Sequence, residues 1–313
     1  MKIELYPQPI HDASNIIDGL NKMFINFANI VNVPLNALEK IIITDKTNWA
    51  SKVEELQKEY YGEKTGYTKN DLYVAVAKKL FRIEDGNVFN TIVFNSYVIF
   101  RPNDIEKLKE EEKAFFELCD YTIFHELRHC LDNSLRQQCE VKAFEFKEGK
   151  IIEPAFFYNI DILFSELAAC IHSAKWMSEK ALDFEIKSTK ENLAQMFNYV
   201  ETIKNDFLDG KQTLYDLAFN AACLFWTILI QHAKIIGIVI GLKLEEFFIN
   251  SLCPENRGQE IITEFQNVLM ILSSNYPDWT NEHKRQVLAI WNKLSREYGY
   301  SFTHTPNGDY LYV

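Results

Sequence analysis

The stretch YTIFHELRHCLD, residues 121–132, carries two histidines, His125 and His129, four residues apart, with Glu126 directly after the first. On an α-helix, residues i and i+4 stand one above the other with Cβ atoms about 5–6 Å apart. Two imidazoles so placed can grip one tetrahedral Zn²⁺ from a single face, at about 2.0–2.1 Å per Zn–N contact. Glu126 lies beside that face, where it can hydrogen-bond a water without ligating the ion. The HExxH pattern is therefore a geometric specification of both histidines and the glutamate. Chance alone would put two histidines four apart, with a glutamate directly after the first, in roughly one chain in a hundred of this length.

Working outward, Asn90 to Phe100 is a β-branched and aromatic run stopped by Pro102, which predicts a strand. Asn103 or Asp104 can then cap a helix rich in Glu and Lys. Phe116, Cys119, Ile123, Leu127 and Leu131 continue one apolar face, so the motif falls on a long helix that follows a strand. Upstream, residues 12–31 show helical spacing, and Lys40 to Thr44 reads as a short strand. A polar segment follows, with a loop around Gly62 to Gly66. Asp71 to Lys79 fits strand or helix equally. Downstream, Glu140 to Glu153 suggests a β-hairpin turning at Glu148-Gly149. Helices are expected over Tyr158–Met177, Glu191–Phe207 and Leu214–Phe248. A final hairpin is expected within Tyr298–Val313, turning at Pro306-Asn307-Gly308.

The chain is 313 residues long, enough for one large domain or two lobes, with only 11 glycines and 8 prolines to interrupt its helices. A net charge of −11 argues against a nucleic-acid partner. The N-terminal residues lack an apolar signal core, and six scattered cysteines form no CxxC pair, which together predict a cytoplasmic protein with reduced thiols. Leu217 to Leu242 is nearly long enough to span a bilayer, but Asn220, Gln231, His232 and Lys234 interrupt it. A buried core helix is the expectation there, without membrane association.

A catalytic zinc takes three protein ligands and keeps one open position. The extended pattern HExxHxxGxxH fails, because Asp132 and Leu135 stand where it needs Gly and His. The better third ligand is Glu166, 37 residues after His129, on a predicted helix whose small residues Ala168, Ala169 and Ala174 would permit close approach to the HExxH helix. His172 is its rival, roughly 240° round the same helix, so both cannot face one ion. Glu140 and Glu145 are weaker candidates. Asp132 reads either as a carboxylate that orients a ligand imidazole or as a solvated residue at the helix end.

With these residues the chain resembles the gluzincin class of zinc metallopeptidases over residues 90–180. The resemblance implies His125, His129 and Glu166 as metal ligands, Glu126 as general base, and strand 91–100 as the edge strand that pairs with an extended substrate. A short α/β front lobe, a Glu-x-x-Ala helix and the lack of a signal peptide are similar to the intracellular repressor-cleaving metallopeptidases. The spacing and the helical C-terminal half depart from that family.

The expected fold is α+β and predominantly helical. A zincin-like front lobe (1–135) carries a small sheet and the HExxH helix, and a helical back lobe (136–313) supplies the third ligand, with the site in the cleft between. The expected activity is zinc-dependent hydrolysis of a peptide or protein substrate. Tyr158, His172, Tyr199, Tyr215, His232 and His304 are the candidate donors to the oxyanion. The alternatives are an inactive zincin-like binding module, which the intact Glu126 argues against, and a zinc hydrolase of a non-peptide substrate.

Overall fold

The computed structural model describes the chain except residues 9–11, 63–75, 103, 105–106, 137–151, 245–257 and 306–307. It is an α+β protein, mostly helical with a small mixed sheet. The chain forms two compact units: Met1–Cys139 with His172–Leu182, and Glu140–Ile171 with Asp183–Val313.

In the first unit a four-stranded sheet is ordered β1-β2-β4-β3, from β1 (Lys2–Tyr6), β2 (Leu38–Thr44), β3 (Ala77–Glu84) and β4 (Asn87–Asn95). β1, β2 and β4 run parallel, and β3 is antiparallel to β4. Successive strand residues point to opposite faces, and both faces of this sheet are covered. Ile41, Ile43, Ile92 and Phe94 pack with α1 (Ser14–Ile30) and α4 (Glu110–Arg136), while Ile42, Val93 and Leu80 pack under Trp49, Val53 and Leu56 of α2 (Trp49–Tyr61). α2 is anchored by the Trp49 indole N–H, which donates to the Val93 carbonyl at 3.2 Å.

The β3–β4 hairpin turns through Asp85 and Gly86, both at positive φ (49° and 76°). That is the two-residue turn Asp-Gly favours, because only such residues adopt the left-handed region cheaply. The sequence reading had β4 starting at Asn90 and ending at Phe100. The ladder instead ends where β2 ends, at Thr44 opposite Asn95. Without a partner strand, Ser96–Ile99 closes into a short helix, α3, which buries Val98 and Ile99. β4 is also an interior strand, with β2 on one side and β3 on the other, so the expected edge role of 91–100 is wrong. The edge beside β4 is β3.

The second unit holds α5 (Ile152–Ser173, apart from its last two residues), most of α6 (Glu179–Leu208), α7 (Leu214–Leu242), α8 (Gln259–Ser274), α9 (Asn281–Glu297) and a terminal hairpin, β5 (Ser301–Thr305) with β6 (Gly308–Tyr312). The expected hairpin over 140–153 lies almost wholly outside the described residues, and α5 already occupies its last two positions. α7 and α9 both begin with capping boxes, Thr213 with Asp216 and Thr280 with His283, that satisfy helix N-terminal donors. Trp226 and Phe225 of α7 meet Trp291 of α9, and Phe225 also meets Tyr300, whose hydroxyl donates to the Val200 carbonyl at 2.7 Å. α7 is long and apolar enough to cross a membrane, and 72% of its most apolar window is buried inside the protein.

α5 and α7 touch at one glycine. A Cβ on Gly237 would lie 2.7 Å from the Cys170 Cβ and 2.9 Å from the Leu167 carbonyl oxygen. Glycine here costs helix propensity of about 1 kcal/mol, and close backbone approach is what it permits. Gly237→Val should therefore destabilise the protein by about 2–3 kcal/mol through overpacking. Gly19→Ala in α1, with open space around it, should stabilise by up to about 1 kcal/mol. Urea unfolding of the two variants measures both signs. A neutral Gly237→Val would mean the helices do not approach this closely.

Candidate metal centre

α4 begins with Glu110, Glu111 and Glu112, acidic residues that complement the positive end of the helix. Its apolar face, with Cys119, Ile123, Phe124, Leu127, Cys130 and Leu131 all buried, seats it in the sheet core. The same rotation brings His125 and His129 into line. Each is 7% exposed, their Nε2 atoms are 3.0 Å apart, and the rings meet edge to face. Two nitrogen ligands of a tetrahedral zinc at about 2.0–2.1 Å would stand about 3.3 Å apart. The imidazoles thus already converge at nearly ligand spacing.

Among the described residues, His125, His129 and Glu166 form a group that can hold a metal ion, each offering one ligand atom, with all three atoms within 4.8 Å of one another. Two imidazole nitrogens and one carboxylate oxygen are a fitting donor set for zinc and leave a fourth position open. Glu166 sits on α5, where its side chain is 18% exposed, and Lys234 of α7 lies with its Nζ 3.5 Å from the carboxylate. In the sequence alone, Lys234 is only an interruption of an apolar helix. A lone lysine in such a helix was the available signal, since a buried ammonium needs a counter-charge.

The remaining candidates are placed as follows. His172 is exposed and outside the metal group; loss of hydration against the protein, then the Arg128 and Lys175 charges, push its pKa down to about 4. Asp132 is 2% exposed, which overturns its reading as a solvated helix end. Glu140 and Glu145 lie outside the described residues. Of the proposed oxyanion donors, Tyr199 and Tyr215 are exposed, at 49% and 58%. His232 is fully buried with Nδ1 2.8 Å from the Ile228 carbonyl oxygen, and burial pushes its pKa down to about 4, so it is neutral. The side chains of Tyr158 and His304 are outside the described residues.

Glu126 is half-buried. Its surroundings include a cation that the sequence reading passed over, Lys79 on β3. Burial lowers the Lys79 pKa, while the charges of Asp132 and Glu126 oppose that shift. The Cys130 thiol is pushed up to about 12 by burial, and so is protonated at neutral pH. Cys119 and Cys170 are likewise buried free thiols, and Cys223 is an exposed one.

No protein-family model, no curated protein and no solved structure matches this chain.

Proposed function

We propose that this chain is a zinc-dependent hydrolase with a zincin-like front unit, and that it cleaves peptide bonds. The observation that carries the reading is the convergence of the His125 and His129 Nε2 atoms, 3.0 Å apart, with a carboxylate from a different helix. A zinc ion held by His125, His129 and Glu166 would supply Lewis acidity to water and to the substrate carbonyl. Glu126 then takes the proton of the attacking water and returns it to the leaving amine. Glu166, the one carboxylate of the group, is paired with Lys234 across 3.5 Å. β3, antiparallel to its neighbour at the sheet edge, takes over from β4 as the strand that pairs with an extended substrate backbone. That pairing is the reason a peptide substrate is preferred here to a non-peptide one.

A second reading is favoured by one contact. The Glu166–Lys234 ion pair and the His125–His129 contact let the group satisfy itself without metal, as an inactive polar cluster would. Digestion of a mixed peptide library, read by mass spectrometry, separates the two. New termini that vanish on chelation and return with zinc are the expected result. A zinc-loaded protein that leaves the library intact would reduce the chain to a binding module.

A further inference from the structure

Beside the histidine pair, but turned away from it, the first unit contains a cavity of about 160 Å³. Its walls come from the end of α1 (Ile30, Val31 and Asn32), from Phe124 and Arg128 on α4, and from His172, Lys175 and Trp176 at the end of α5 and just beyond. Phe124 and Arg128 are four residues apart and share one face of α4. That face is rotated from the His125–His129 face by about one residue, or roughly 100°.

The lining has an ordered side and a charged side. Trp176 stacks on Phe124 with ring centroids 3.6 Å apart and planes at 11°, which fixes the indole as a wall. Lys175 holds its ammonium 4.2 Å from the Trp176 ring centre, a cation–π contact. Arg128 also lines the space, and its guanidinium is a planar fork of donors, the geometry suited to carboxylate and phosphate. Asp132 is the opposing charge near His172. The lining itself carries two cations and no carboxylate, although the whole chain carries −11.

We propose that the cavity lined by Arg128, His172 and Lys175 against Trp176 is a binding site for a small oxyanion, the carboxylate or phosphate group of a ligand. A volume of about 160 Å³ suits such a group with a few waters. Arg128 would grip it through two N–H donors, Lys175 would supply the second charge, and neutral His172 and Asn32 would add single hydrogen bonds. The site lies on a face of α4 turned from the His125–His129 face, so it stands without the metal reading.

The test is isothermal titration calorimetry on the full chain as purified, repeated after chelation. The probes are inorganic phosphate, N-acetylglycine, and N-acetylglycinamide as the neutral control. Saturable binding of phosphate, N-acetylglycine or both is expected, with none for the amide. Phosphate alone would identify a phosphorylated ligand, and N-acetylglycine alone an acidic side chain or chain terminus. Lys175→Gln removes an exposed charge at a small folding cost, its surface cation–π contact, and should weaken binding about tenfold. Arg128→Gln should weaken it further. Lys211→Gln, which removes a surface charge on the other unit, should change nothing. No saturable binding of either anion, or equal loss in the Lys211 variant, would overturn the site. Because the variants report on binding after chelation too, failure of the peptide-cleavage experiment leaves this result readable, and the reverse holds.

Discussion

Glu126→Gln is expected to keep the fold and the metal while lowering peptide hydrolysis by about 10²–10⁴-fold, the range a positioned general base contributes. The substitution is nearly isosteric, and Glu126 is half-buried on a helix whose seating comes from apolar residues on another face. Thermal unfolding should therefore shift by little. What changes is proton affinity: an amide cannot accept the proton of an attacking water. Lys79 sharpens the test, since its ammonium lies within electrostatic range of the Glu126 carboxylate. Removing the negative charge releases the lysine from that attraction without breaking an apolar contact. Hydrolysis and metal content measured on the same preparation give the answer. Undiminished activity with metal retained would remove Glu126 from the mechanism.

The second large effect concerns the metal itself. Wild type should bind about one zinc per chain, His129→Ala should bind none, and Glu166→Gln should bind far more weakly, as measured by inductively coupled plasma mass spectrometry after dialysis. Binding to the native state alone adds about 4 kcal/mol of stability when zinc is at about 1,000 times its dissociation constant. Wild type should thus melt several degrees higher with zinc, and His129→Ala should not respond. Glutamine at 166 preserves the volume of the side chain but weakens its pairing with Lys234. A small loss of metal-free stability is expected there, distinct from the loss of zinc. Zinc lost with His129 but kept at full affinity in Glu166→Gln would move the third ligand elsewhere. A folded wild type that takes up no zinc would make HExxH an accident.

Local features were legible because they depend on neighbours in the chain. The His125–His129 spacing needs only a helix, and the apolar residues around it specify that helix. The same holds for α1, for β2 and for the terminal hairpin. The Asp85-Gly86 turn was equally local and was passed over, although it marks the start of β4 and the existence of β3. Apolar composition, interrupted by Asn220, Gln231, His232 and Lys234, favours a buried α7 over a membrane-spanning one. Packing of Trp226 on Trp291, and of Gly237 against Cys170, shows how much of it is covered by protein.

What needed the tertiary structure was every pairing between distant segments. Strand order made β4 interior and β3 the edge, because hydrogen-bonded neighbours are chosen by the whole sheet and not by a strand's own residues. Asp132 proved buried, since helix position alone does not reveal what covers a helix end. Many glutamates could have reached the histidines by sequence distance, and only the placement of α5 singles out Glu166 among the described residues. Charge partners followed the same rule: Lys234 meets Glu166 across 68 residues of chain, a separation that no periodicity encodes. The chain by itself specified two imidazoles and a carboxylate on one helix. Among the described residues the fold adds the Glu166 carboxylate to the two imidazoles, because three-dimensional convergence is a property of packed helices and not of spacing along one.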